Sequence, residues 1–141
     1  MIHKILFAYD GSDSAQQAFD FSVDMAKRYG AALHVLAVVQ PPDFAEEVEG
    51  VAVIENSRRH YEKLMRSLKT RLAQEPITSE TGVVVGHAAD KILRYAAQHG
   101  VDHIVVGHRG RSLFNSLLLG SVSRQIIAHA PCPVTVVRRS A

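Results

Sequence analysis

An open parallel α/β sheet wrapped by helices on both faces is the fold class this sequence predicts, and three observations predict it. Short runs rich in β-branched residues recur along the chain, they are continuous rather than alternating, and stretches with apolar residues at helical spacing separate them. The runs are Ile5–Ala8, Ala32–Val39, Val83–Val85, Ile104–Val106 and Val134–Val137. Bounded by Gly, Asp or Pro, they read as strands covered on both faces.

The helical stripes follow in turn. Ala15, Ala18, Phe19, Ser22, Val23 and Ala26 form the first, and Tyr61, Leu64, Met65, Leu68 and Leu72 the second. Ile92, Leu93, Ala96 and Ala97 form a third; Val122, Ile126, Ile127 and Ala130 a fourth. Gly30 and Gly100 fall just past two of them, where a left-handed residue ends a helix. The segment from Gln40 to Asn56, with Pro41, Pro42 and several acids, is the least regular and reads as a loop leading into the second helix. Strands and helices in alternation give a doubly wound, Rossmann-like sheet, and with the first strand central the expected order is 3-2-1-4-5. The 141 residues suit a single domain spanning 1–141.

Composition narrows the function classes. A hydrophobic fraction of 47% with 21% charged residues is that of a globular chain, which sets aside disordered and fibrous readings. No run approaches a membrane span, and the opening run meets Asp10 too soon to be a signal-peptide core. The net charge is +2 with the basic residues scattered, so a nucleic-acid partner is not expected. Cys132 is alone, which excludes an internal disulfide and paired-cysteine zinc sites and fits a cytoplasmic chain; between Pro131 and Pro133 it reads as packing rather than a nucleophile.

In such a sheet, ligands bind beyond the carboxyl ends of the strands where the winding reverses, here between strands one and four, which places Asp10 beside Gly107. The densest signal lies there. Gly107, Gly110 and Gly120 offer conformational freedom and close approach, and a helix start at Ser121, Val122 and Ser123 offers free N–H groups and hydroxyls. Arg109 and Arg111 add positive charge. Together these suit a polyphosphate. Asp10 is either an acceptor for ligand hydroxyls or a cap for the first helix, although Ser12, Asp13 and Ser14 compete for the cap. His108 could stack, donate to a phosphate or face solvent, and solvent is the expectation. His34 reads as a partnered core or edge residue, and His99 and His103 do not share a helical face, so no metal site is expected.

The spacing Gly107-x2-Gly110-x9-Gly120-Ser121 resembles the nucleotide motif of the universal stress protein family, in its ATP-binding branch. The likeness extends through Tyr9-Asp10-Gly11-Ser12, Gly86-His87-Ala88 and the closing Ala130-Pro131-Cys132-Pro133-Val134. It implies an adenine-nucleotide α-hydrolase-like fold and a site in which Ala8, Tyr9 and Asp10 end the first strand beside ribose or adenine. Val38 would line the adenine pocket, with Gly107, Arg109, Gly110, Gly120, Ser121, Val122 and Ser123 around ribose and phosphates. The implied cofactor is ATP, or AMP or another adenine nucleotide, with Mg²⁺ carried by the phosphates. The implied protein is a cytoplasmic regulator or sensor in the stress response that answers to a protein partner and forms a homodimer through the last strand, Val134–Arg138. At this point His108 departs from the Ser or Thr usual in the motif.

Rival readings lack their signatures. The lysine-bearing phosphate loop is absent, Asp10-Gly11-Ser12 stands where a dinucleotide-binding G-x-G-x-x-G would start, and a receiver domain would need several acids at strand ends. A slow ATP hydrolase and a nucleotide-free dimeric interaction protein remain as alternatives. The residues show no convincing catalytic base, which favours binding with at most slow turnover.

Overall fold

Nine elements alternate strictly between strand and helix in a computed structural model, which describes residues 1–43, 46–108 and 119–138. They are β1 (Lys4–Ala8), α1 (Asp13–Tyr29), β2 (Ala32–Val39), α2 (Val48–Leu72), β3 (Ser79–Val85), α3 (Ala88–Gln98), β4 (His103–Gly107), α4 (Ser121–His129) and β5 (Val134–Val137). All four strand pairings are parallel and the order is β3-β2-β1-β4-β5, as the sequence predicts. Arg109 to Leu118, which include Arg109, Gly110 and Arg111 of the motif, lie outside the described residues.

The central strand is apolar on both faces because both are covered. Ile5 and Phe7 point into a core shared with α1 and α2, where Phe19, Val23, Met65, Leu68 and Leu72 are buried. Leu6 points the other way, into a core shared with α3 and α4 that holds Ile92, Ala96, Ile104 and Ile126. A strand buried twice cannot alternate with polar residues, which is why the run reads continuously. At the lower edge of the sheet the Asp102 carboxylate accepts hydrogen bonds from the backbone N–H groups of His3 (2.9 and 3.1 Å) and Lys4 (3.2 Å), fastening β1 to β4 across the sequence.

The helix boundaries have local causes. Ser12 caps α1 by accepting from Ala15 N, and Gly30 ends it at φ 64°, a left-handed conformation that a Cβ would disfavour. Two expectations are corrected. α2 starts at Val48, so residues 48–56, read as loop, are helical, although Val48 and Val51 stay exposed and Val and Gly50 are weak helix formers; the stretch continues without a break into the packed part of the helix, where Met65, Leu68 and Leu72 are buried. β3 starts at Ser79 rather than Val83, because an edge strand tolerates the polar Ser79-Glu80-Thr81-Gly82 stretch that a central strand would not. On the α3 and α4 stripes, Ala97 and Ile127 turn outward to solvent.

Two buried histidines bind neighbouring elements. His34 Nδ1 on β2 is hydrogen-bonded to the Tyr95 hydroxyl on α3, with Glu80 of β3 at 3.6 Å, and Tyr95 stacks on His99 at 3.8 Å between centroids. His103 Nε2 on β4 meets Thr135 Oγ1 of β5 at 2.6 Å, while its buried Nδ1 has no partner among the described residues. Burial lowers both imidazole pKa values below the usual range, against the pull of Glu80 on His34 and Asp102 on His103, while Lys4 and His99 lower His34 further. Cys132, half-buried, is raised by burial and then by Asp102, so it stays a thiol, consistent with packing.

Two outcomes follow. Phe19, 1% exposed and stacked beneath the Arg71 guanidinium at 4.8 Å, should on Phe19→Ala cost about 3–5 kcal/mol in urea denaturation. In the unfolded chain both histidines bind protons near their ordinary pKa, whereas in the fold they bind them only at lower pH. Stability is therefore full above an ordinary imidazole pKa of about 6.5 and should fall as pH drops below it, with a smaller fall in a His34→Asn, His103→Asn variant measured by the same titration.

Candidate functional site

The parallel sheet brings the ends of β1 and β4 side by side, with Phe7 level with Val105, yet the two chains leave in opposite directions: β1 toward α1 on one face, β4 toward α4 on the other. A cavity of about 430 Å³ opens in the resulting crevice, within the range of small-ligand sites. Its lining includes Ala8, Tyr9, Asp10, Val38, Gly107, Gly120, Ser121, Val122 and Ser123, so the structure brings together every candidate residue that it describes. Arg109 and Gly110 are the candidates outside the described residues.

One wall is apolar. Leu36 and Val38 from β2, Ile92 from α3 and Val106 from β4 make a surface on which a flat ring could lie. Sequence reading named Val38 alone here. The others were legible only as core, because a residue near a strand's carboxyl end serves core and crevice with the same side chain.

Asp10 stands at the centre. Its Oδ1 accepts from Ser12 N at 2.9 Å and from Ser12 Oγ at 2.6 Å, and Ser12 Oγ in turn accepts from Ala15 N at 3.3 Å. Ser12 is thus the cap of α1, and Asp10 is the group that aims the cap. No hydrogen bond among the described residues engages Asp10 Oδ2, which leaves a carboxylate oxygen as an acceptor in the crevice. Among the described lining residues Asp10 is the charged side chain. Beside it, burial and then the Asp10 charge raise the Tyr9 pKa, which keeps the phenol protonated. Tyr61 reaches over from α2 and donates from its hydroxyl to Asp10 O at 3.1 Å; the sequence marks it only as part of a helix stripe.

The third wall is the start of α4. Gly120 is its N-cap residue and has no side chain to satisfy the first N–H groups, so those of Ser121, Val122 and Ser123 have no side-chain cap from that position. Gly120 has φ −62°, so its backbone does not need the positive φ anticipated for the motif glycines, and Gly107 is likewise not left-handed. What Gly120 provides is a helix start free of a competing cap. Ser123, expected to donate to a ligand, donates instead to Gly107 O at 2.9 Å and is buried, so its hydroxyl proton is used to join α4 to β4. His108 is buried rather than solvent-facing, correcting the expectation: its N–H donates to Val137 O and its carbonyl accepts from Gly120 N, which draws the residue into the seam between β4, β5 and α4.

The arrangement combines a flat apolar wall, a central acceptor for hydroxyls and a helix start suited to anions. Among the described residues there is no group of three or more His, Cys, Asp or Glu side chains placed to hold a metal ion, and no helix is long and apolar enough to cross a membrane.

Comparison with known proteins agrees along the whole chain. The sequence model of the universal stress protein family matches residues 1–138. The universal stress protein YxiE of Bacillus subtilis is 34% identical, over 98% of this chain and 100% of its own length. Among solved structures, the universal stress protein UspA from Lactobacillus plantarum superposes with a TM-score of 0.89 at 30% identity, covering 96% of this chain and 97% of its own. A universal stress protein solved in complex with cAMP superposes with a TM-score of 0.66 at 26% identity, covering 99% and 98%. With the strand order, the crevice and these likenesses in agreement, the chain belongs to the universal stress protein family.

Proposed function

We propose that the crevice holds an adenine nucleotide, ATP in the first instance, and that the protein is a nucleotide-dependent regulatory module of the stress response. The observation that carries this reading is the meeting of three walls in one crevice: the apolar surface of Leu36, Val38 and Ile92, the Asp10 carboxylate and the start of α4. An adenine ring would lie on the first. Ribose hydroxyls would donate to Asp10 Oδ2, and phosphate oxygens would accept from the N–H groups at Ser121, Val122 and Ser123. The cAMP complex of the related protein supports an adenine nucleotide as the ligand class.

The family motif assigns Arg109 and Gly110 to the phosphates as well, with Ala8 and Tyr9 beside the ribose. Mg²⁺ would arrive with the phosphates, which supply hard oxygen ligands themselves. Binding is favoured over turnover. The carboxylate of Asp10 already accepts two hydrogen bonds from Ser12, a poor starting point for a base that must take a proton from water.

The protein is further proposed to act as a single domain over 1–141, in the cytoplasm, and as a homodimer through Val134–Arg138. Support for the dimer is that β5 ends the sheet, leaving one side of an apolar strand to be covered.

Mass spectrometry of small molecules released by denaturing the freshly purified protein should find an adenine nucleotide near one per chain, or the empty protein should bind added Mg-ATP. An empty protein that binds none removes the nucleotide reading and leaves a dimeric interaction protein. Sedimentation at micromolar concentration should give twice the chain mass; a monomer overturns the dimer.

A further inference from the structure

We propose that the outward face of α2 is an interface with a second copy of this chain: two α2 helices lie antiparallel about a two-fold axis level with Ser57, the acidic half of each against the basic half of the other. Between residues 43 and 57 the chain has five acids and no lysine or arginine; between 58 and 72 it has six lysines and arginines and one acid. α2 packs over β2 and β3, at the far end of the sheet from β5, so this contact is separate from the β5 edge.

Two properties of the helix have no cause within a single chain. The first is its charge. Acids near a helix start and bases near its end answer the helix dipole, which accounts for Glu49 and for Lys69 and Arg71. The dipole acts within the first and last turns, so it does not account for Glu55, Arg59, Lys63 and Arg66 in the middle. Among the described residues Arg59 is ion-paired to Glu55 at 3.6 Å, and Lys63 and Arg66 have no ion pair. The second property is apolar exposure. Val48 is 88% exposed and Val51 57%, on a helix whose packed side is made by Gly50, Met65, Leu68 and Leu72.

Spacing supplies the register. Val48, Ala52, Glu55, Arg59, Lys63 and Arg66 follow one another at three or four residues and are all exposed, which sets them on one stripe of the helix turned away from the sheet. With the axis level with Ser57, Glu55 of each copy meets Arg59 of the other. Glu49 and Val48 come beside Arg66, the carboxylate toward its guanidinium and the valine toward its aliphatic stem. Glu55 and Arg59 are already paired in each copy, so the two-fold axis closes them into a ring of four alternating charges. A parallel pairing would set acid on acid and base on base, so the charge pattern admits one orientation. Ser57 and Tyr61 line the crevice from the other side of the helix, so the element that walls the crevice is also the one that meets the second copy.

The test is charge reversal, read by sedimentation velocity of the full chain. Glu49→Arg with Glu55→Arg makes both halves basic; Arg59→Glu with Arg66→Glu makes both acidic. All four residues are exposed and none lines the crevice, so the thermal midpoints should change little. Exposed charge pairs are individually weak, so the contact fills above the micromolar range. At low salt the wild-type mass should at least double as concentration rises beyond that range, and should fall back as added salt screens the pairs. Each variant alone should keep its micromolar mass throughout, and an equimolar mixture of the two should rise in mass as the wild type does. The single reversals Glu55→Arg and Arg59→Glu, mixed in the same way, serve where a double variant is destabilised. A wild type of constant mass overturns the proposal and leaves this face to a partner of another kind. Variants that associate alone as the wild type does, or a mixture that stays at the micromolar mass, overturn it equally.

Discussion

Two neighbouring strands that send their chains to opposite faces of a sheet leave a gap no loop can close, and everything at this site depends on that divergence between β1 and β4. Parallel pairing puts all strand ends on one rim, and right-handed crossovers then commit α1 and α2 to one face and α3 and α4 to the other. The crevice is a product of winding before any functional residue is chosen. Asp10, Gly107 and Gly120, separated by nearly the whole chain, share a cavity because their strands do.

Within that frame the polar groups divide into those used by the fold and those left over. Ser12 and Ser123 have the chemistry of ligand-binding hydroxyls, yet Ser12 caps α1 and Ser123 ties α4 to the end of β4. His108 likewise serves the seam between β4, β5 and α4 through its backbone. What remains toward the crevice is one oxygen of Asp10 and the start of α4. Each is held by a partner within the fold: Asp10 by Ser12, and the start of α4 by the bond from Gly120 N to His108 O.

The strands of the centre were legible because a strand covered twice must be apolar at each position, and Ile5-Leu6-Phe7 and Ile104-Val105-Val106 obey. At the edge that rule lapses, which is why Ser79 to Gly82 were not read as strand. The beginning of α2 was hidden for a related reason: its first turns bury little, so Val48 to Asn56 lack the periodic signal by which helices are recognised. In the site, Gly107, Gly120, Ser121 and Ser123 were legible as residues at the strand-end rim, where they line the cavity, while partnerships such as Gln40 with Ala88 depend on elements far apart in sequence. No local pattern encodes them.

The Asp102 clasp on the backbone of His3 and Lys4 bears on how the chain reaches this structure during synthesis. β1 can pair with β2 as soon as about forty residues have been made, but its other side stays open until the segment that includes Asp102 and β4 emerges. For much of translation the central strand of the protein is an exposed edge, the state from which chains aggregate. The clasp and the β1–β4 ladder close that edge together, so the step that ends this vulnerable interval is the one that creates the crevice.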